Sequence, residues 1–205
     1  MQKVPLSFTW DQIKNRISSR LLSTVWHAEK IKSLVTIPLA ADVVQAFYIC
    51  VDGLVENPPW STEGQSAYIG ITPSLLSYLG KTVTDLLNAT AASLHGSARP
   101  MSDFFPVPID ETGQQMYVVS TEEKAYGASA VLDPSVQETL SSVYPSGFYI
   151  LMSSVHECLA VASSSATPED LKAMVYAINR SEVQPEDRLS DSVFILRNGC
   201  LAAAV

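Results

Sequence analysis

The sequence has little positive charge for its length. It carries 13 Lys and Arg residues against 21 Asp and Glu residues, which gives a formal net charge of -8. Nucleic acids and anionic membrane surfaces attract proteins that present a basic face, so this balance argues against both as principal ligands. We therefore expect no nucleic-acid partner and no membrane partner.

Long apolar runs and paired cysteines are also missing. There is no stretch of about 18 apolar residues and no basic segment followed by an apolar one at the N-terminus, so neither membrane spanning nor export is indicated. The three cysteines, Cys50, Cys158 and Cys200, form no CxxC pair and lie in or beside apolar sequence. Such cysteines are typical of reduced thiols in a core. The sequence therefore predicts a cytoplasmic protein with buried, unpaired thiols.

The motifs of the common catalytic and cofactor-binding classes are absent as well. No GxGxxG, GxxxxGK[ST] or GxSxG pattern occurs, and His27, His95 and His156 have none of the spacings that place histidines on one metal. We accordingly predict no cofactor and no metal site.

The chain does contain enough apolar sequence to form a core. Apolar residues make up 47% of its 205 residues and charged residues 17%, and a chain of this size hides roughly 70% of its unfolded surface. We predict one globular unit over residues 1–205. The irregular stretch 98–114, which contains three prolines, is a possible subdomain boundary between an N-terminal part, 1–97, and a C-terminal part, 115–197.

Capping residues predict the starts of several helices. Thr9 and Gln12 form a capping-box pattern, and Ile13, Ile17 and Leu21 follow at a spacing of four, which predicts an amphipathic helix over 10–23. Four more helices are predicted to begin after a hydroxyl or carboxylate cap, namely after Thr72, Thr82, Asp133 and Thr167.

Runs of β-branched and aromatic residues predict strands. They lie at 42–51, 67–71, 116–121, 128–132, 148–152, 155–162 and 192–197. The strands at 116–121 and 128–132 are expected to form a hairpin, which makes the C-terminal part a ββαββαβ unit. The elements do not alternate strictly, so the fold class is predicted to be α+β, with an antiparallel or mixed sheet and helices packed mainly on one face.

Several segments of the chain resemble a family of uncharacterised proteins from anaerobic Gram-positive bacteria. The segments with matching order and spacing include 116–120, 126–128, 132–134, 148–157, 178–180 and 189–191. The resemblance covers roughly residues 13 to 197. It implies a bacterial domain of unknown function and no particular mechanism.

One segment combines a nucleophile, a base and an acid within a few positions. It contains Ser153, Ser154, His156 and Glu157, followed by Cys158. On a strand, neighbouring side chains point to opposite faces, so these residues cannot form a relay among themselves. The preferred interpretation is a polar turn whose hydroxyls bond the backbone. The alternative is a hydrolase or transferase that uses His156 with Ser153 or Ser154.

Two further groups are candidate contact residues. Asn179 and Arg180 end the last helix and precede a charged segment, so they either frame an anion or peptide site or pair with nearby acids at the helix end. Trp60, Phe104 and Phe105 lie in irregular segments near prolines, where aromatic residues either anchor partners or fold over the core.

The sequence contains clear signals for helices and strands but none of the common catalytic motifs. This combination favours one class of function. We predict a non-enzymatic interaction or accessory domain with a protein partner. A component of a mobile-element or phage-defence system is a further alternative.

Overall fold

A computed structural model describes residues 8–55, 66–105 and 115–205 of the chain. These residues form two antiparallel sheets, one of four strands and one of six, with helices packed against them. The predicted α+β class with antiparallel pairing is therefore confirmed.

The four-stranded sheet is formed by the first part of the chain. Its strands are β1 (Ile17–Ser23), β2 (Thr36–Ala40), β3 (Val43–Cys50) and β4 (Tyr68–Gly70). Strand β3 is central, because it pairs with β1 on one side and with both β2 and β4 on the other. The helices of this part are α1 (Trp10–Ile13), α2 (Ala28–Ile31), α3 (Pro73–Tyr78) and α4 (Val83–Ser93).

The six-stranded sheet has the order β10-β9-β7-β8-β6-β5. Its strands are β5 (Gly96–Pro100), β6 (Tyr117–Thr121), β7 (Phe148–Leu151), β8 (Cys158–Ala162), β9 (Val193–Arg197) and β10 (Cys200–Ala203). Its helices are α5 (Pro134–Val143), α6 (Pro168–Ser181) and a 3-10 helix, Gly127–Leu132. The C-terminal tail is thus an edge strand of the sheet.

The largest apolar cluster joins the two sheets. Residues of α5 and of the 3-10 helix pack on one face of the six-stranded sheet, and Leu21 and Val43 of the other sheet belong to the same cluster. Helix α6 packs on the opposite face, where Leu171 and Val175 meet Leu151. Both faces of this sheet are therefore covered.

Four helix starts predicted from capping residues are confirmed. The side chains of Thr72, Thr82, Asp133 and Thr167 each accept a hydrogen bond from a main-chain N–H of the first helical turn. Local chemistry suffices there, because a cap satisfies donors that no other part of the helix can reach.

The helix predicted over 10–23 is wrong. A helix covers only Trp10–Ile13, a 3-10 turn follows at Lys14–Arg16, and the chain then enters β1. A spacing of four places residues on one face of a helix and also on one face of a strand, so the pattern of Ile17 and Leu21 fits both. Pairing with β3 along the whole of β1 decides in favour of the strand.

The hairpin predicted between 116–121 and 128–132 is also wrong. Residues 127–132 form the 3-10 helix, and β6 pairs with β5 and β8 instead. Small residues permit this close packing: a Cβ atom on Gly127 would lie 2.2 Å from the hydroxyl of Ser120. The composition of residues 128–132 therefore predicted a strand, whereas close packing against β6 favours a 3-10 helix.

Three smaller differences concern the thiols, a strand boundary and the irregular stretch. Cys158 is buried as predicted, but Cys50 is half-buried and Cys200 is exposed on the edge strand. The strand predicted over 155–162 begins only at Cys158. Within 98–114, residues 98–105 end β5 and form a short 3-10 helix, and 106–114 lie outside the described residues.

Among the residues that the structure describes, no helix combines the length and apolarity needed to cross a bilayer.

Candidate functional site

The candidate polar residues gather around the segment between α6 and β9. We call residues 182–191 the junction loop. It runs antiparallel to the turn after β7: the N–H of Val155 donates to the carbonyl of Asp187 at 2.8 Å, and the N–H of Leu189 donates to the carbonyl of Ser153 at 3.0 Å. Residues that are distant in sequence therefore meet at one place.

The ring of His156 links this turn to the junction loop. Its Nδ1 accepts the main-chain N–H of Tyr126 at 3.2 Å, and its Nε2 lies 3.2 Å from Oδ1 of Asp187. An accepting Nδ1 carries no proton, so the neutral ring holds its proton on Nε2 and donates it to the carboxylate. The hydroxyl of Ser154 accepts the main-chain N–H of His156 at 3.0 Å. The structure therefore brings Ser154 and His156 together through the backbone, and both ring nitrogens of His156 bond other groups.

A second histidine, which sequence reasoning did not single out, holds the neighbouring residue of the loop. His27 is buried; its Nδ1 accepts the main-chain N–H of Ser23 at 3.0 Å, and its Nε2 lies 2.9 Å from the carbonyl oxygen of Glu186. The same tautomer satisfies both bonds. No local pattern in the sequence marks this role, because Glu186 lies far along the chain.

Asp42 joins the start of β3 to the same loop. Its two carboxylate oxygens accept the hydroxyl of Ser23, at 3.1 Å, and the hydroxyl of the buried Ser190. Serine, histidine and aspartate thus occur together, but His27 bonds the backbone of Ser23 and not its hydroxyl. A nucleophile–base relay requires the hydroxyl bond, so this set has the geometry of a structural clamp.

Asn179 and Arg180 fasten the other end of the loop. The side-chain N–H groups of the fully buried Asn179 donate to the carbonyl of Ser190 at 2.9 Å and to Asp191 at 2.8 Å. Arg180 binds both carboxylate oxygens of Asp191, at 3.0 and 3.1 Å. Although burial opposes ionisation, these donors hold the pKa of Asp191 below its usual 3.8.

Aromatic and arginine side chains form the outer surface here. We call Val25, Trp26, Tyr176, Arg180 and Arg188 the Trp26 surface. The guanidinium carbons of Arg180 and Arg188 lie 5.9 and 5.1 Å from the ring centroid of Trp26, and Arg180 also lies 3.3 Å from that of Tyr176. Val25 is 64% exposed and Tyr176 53% exposed. An apolar, cationic patch is therefore open to solvent.

The remaining candidates lie elsewhere or play a different part. Glu157 is half-buried beside Cys158, and burial followed by the Glu157 charge raises the pKa of that thiol. Phe104 and Phe105 are both exposed, the latter at 63%. Trp60 lies outside the described residues. Within the described parts of the chain, no group of three or more His, Cys, Asp or Glu side chains is placed to hold a metal ion.

Comparison with protein-family models gives one match. A model described as "Family of unknown function (DUF5688)" matches residues 2–197. The chain belongs to the DUF5688 family. The resemblance to a family of uncharacterised proteins is confirmed to that extent. No curated protein and no solved structure gives a significant match, so a functional proposal for this DUF5688 protein rests on its own residues.

Proposed function

We propose that the protein is a non-enzymatic cytoplasmic interaction domain that docks a protein partner on the Trp26 surface. The observation that supports the proposal is the surface cluster in which half-buried Trp26 and exposed Tyr176 lie beside two guanidinium groups. Trp, Tyr and Arg are the residue types that contribute most often to the affinity of protein interfaces.

The charge at this surface indicates what kind of partner it fits. Arg180 is engaged by Asp191, whereas Arg188 donates through Nε to the carbonyl of Val183 at 3.0 Å and forms no ion pair within the described residues. The free edge of the Arg188 guanidinium can bind a carboxylate from outside the chain. The partner segment is therefore proposed to be acidic, with an apolar side chain that contacts Trp26.

The surface is also held in place before binding. His27 and His156 bond adjacent residues of the junction loop, and Asn179 anchors the loop from below. A preordered surface loses less conformational entropy when it binds. The ordered junction loop therefore supports an interface role for the Trp26 surface, even though the bonds of His27, His156 and Asn179 are themselves structural.

Two alternatives remain for comparison. A hydrolase or transferase would use His156 with Ser153 or Ser154, and its ring would first have to exchange its bond to Asp187 or to the N–H of Tyr126 for a serine hydroxyl. A role in a mobile-element or phage-defence system would be supported if genes of such systems regularly lay beside the gene for this protein.

The proposal is tested by comparing three forms of the tagged full chain in the cells that encode it. Proteins that co-purify with the wild type are compared with those retained by Trp26→Ala and by Phe105→Ala, a matched change at an exposed aromatic residue outside the Trp26 surface. We expect a partner that Phe105→Ala retains and Trp26→Ala loses. Binding measured by calorimetry with that purified partner should weaken by about 2 kcal/mol or more for Trp26→Ala.

A charge reversal at Arg188 provides a second test. Arg188→Glu should weaken the same complex, and raising the salt concentration should reduce the difference between this variant and the wild type. Equal affinity of the wild type and both Trp26 surface variants would refute the proposal. Loss of the partner in Phe105→Ala alone would assign the interface to the segment of Phe104 and Phe105.

A further inference from the structure

A buried cation without a carboxylate partner lies on β1, next to Leu21 of the main core and on the opposite face of the strand. Arg20 is only 9% exposed. Among the residues that the structure describes, it forms no ion pair with Asp or Glu. Buried charges in proteins are normally paired or bound to an ion of opposite sign, because water no longer solvates them. We therefore expect an anion to neutralise the charge of Arg20.

Three tyrosine rings surround the Arg20 guanidinium. Its carbon lies 3.8 Å from the ring centroid of Tyr126, 4.3 Å from that of Tyr48 and 4.5 Å from that of Tyr68. Ring faces attract a cation, but they do not accept the N–H groups that project from the edge of a guanidinium. The rings hold the group in one orientation. The Tyr126 hydroxyl also interacts with its edge, but a guanidinium carries five N–H groups, so others are left for an oxygen ligand.

A buried hydroxyl beside the guanidinium has no partner either. The hydroxyl oxygen of Tyr48 forms no hydrogen bond with any residue that the structure describes, although Tyr48 is only 5% exposed. Burial raises the pKa of Tyr48 to about 12, so the hydroxyl keeps its proton and can donate it. An anion bound to Arg20 would supply the missing acceptor.

A second cation borders the same rings. The ammonium nitrogen of Lys30 lies 5.3 Å from the ring centroid of Tyr126 and 5.8 Å from that of Tyr48. Lys30 is exposed, which places this side of the cluster at the protein surface. The carboxylate of Glu123 accepts a hydrogen bond from Tyr68 at 3.2 Å. Within the described residues it forms no ion pair with Arg20 or Lys30. Positive charge is therefore in excess at the cluster.

We propose that Arg20, Lys30 and the hydroxyl of Tyr48 form a binding site for an oxyanion, the phosphate or carboxylate group of a small ligand. The guanidinium edge would bind two oxygens, the ammonium would act as a point charge at the entrance, and Tyr48 would donate the third bond. This site is independent of the Trp26 surface, because it uses none of its residues.

The first test measures thermal stability with added anions at constant ionic strength. Sodium phosphate and sodium acetate are compared separately with sodium chloride. At roughly tenfold the dissociation constant, a bound anion should raise the Tm of the wild type by about 3 to 5 °C. A shift with phosphate identifies a phosphate ligand, and a shift with acetate alone identifies a carboxylate ligand.

Arg20→Met separates binding from a purely structural role. The variant should lose the anion-dependent shift, and its Tm in chloride should equal or exceed that of the wild type, because an unpaired buried charge has been removed. Arg99→Met, which deletes an exposed charge of the same sign, should retain the shift. An Arg20→Met variant that is less stable in chloride and responds to phosphate like the wild type would overturn the proposal.

Tyr48→Phe provides a milder test that keeps the ring. It removes only a hydroxyl that has no partner in the described structure, so the variant should fold and should bind the anion about tenfold more weakly. NMR of the arginine Nε–H groups supplies a direct measurement: the signal of Arg20, assigned by its loss in Arg20→Met, should move on titration with phosphate or acetate. The absence of any shift in Tm or NMR signal at tens of millimolar of either anion would overturn the site.

Discussion

Exchanging the amide of Asn179 for a carboxylate is the sharpest test of how the junction loop is held. Asn179 is fully buried, and its two N–H groups point at the carbonyl oxygen of Ser190 and at the carboxylate of Asp191. Asn179→Asp preserves the size and shape of the side chain. It replaces both donors by an oxygen that faces two other oxygens at 2.9 and 2.8 Å.

The expected cost follows from burying a charge without a counter-charge. Leaving one buried charge uncompensated destabilises a protein by about 3 to 5 kcal/mol. Burial and the neighbouring Asp191 both raise the pKa of the introduced carboxyl above the value of about 3.9 for an unfolded chain. The protonated carboxyl can still donate one hydrogen bond, so the destabilisation is smallest at low pH and grows as the pH rises through that elevated pKa.

Urea unfolding at pH 5 and at pH 7.5 measures both effects. Asn198→Asp is the matched control, because Asn198 is exposed in the turn before β10 and the substitution makes the same change in charge. That control should alter the free energy of unfolding by less than about 0.5 kcal/mol. If Asn179→Asp unfolded at the same urea concentration as the control, or lost equal stability at both pH values, the buried anchoring of the loop would be refuted.

Two further predictions concern a helix cap and the thiols. The carboxylate of Asp133 accepts the main-chain N–H groups of Gly96 and Ser135; although burial opposes ionisation, these bonds lower the pKa of Asp133. Asp133→Ala should therefore lower the free energy of unfolding, measured with urea at neutral pH, by about 2 to 4 kcal/mol. The difference from the wild type should shrink as the pH falls through the lowered pKa. A loss below about 0.5 kcal/mol would contradict this role of Asp133. A thiol reagent followed by mass spectrometry should label exposed Cys200 rapidly and buried Cys158 only on unfolding; equal labelling rates would contradict the burial of Cys158.

Helix starts could be predicted because they depend on neighbouring residues. Thr167 and Pro168 begin α6 as expected, since a hydroxyl cap and a proline at the first helical position act within one turn. The apolar strand Phe148–Leu151 was equally predictable from its β-branched and aromatic content. These features need no knowledge of the rest of the fold.

The sequence predicted which residues belong to the candidate site, but not which groups they bond. Ser154, His156, Asn179 and Arg180 all lie around the junction loop, yet their partners were not apparent from spacing. His156 bonds the backbone of Tyr126, which lies in a segment that was predicted as the turn of a hairpin and precedes a 3-10 helix. An error in one element therefore hid the environment of another.

By itself, the sequence determined the class of fold, the capped helices and the scarcity of catalytic motifs, because composition and short-range capping decide these. Only the tertiary structure decided that β1 is a strand, that His27 clamps the junction loop, and that Arg20 is buried among tyrosines without a carboxylate partner in the described residues. These outcomes depend on contacts between residues far apart in the chain, where sheet pairing and burial outweigh local preference.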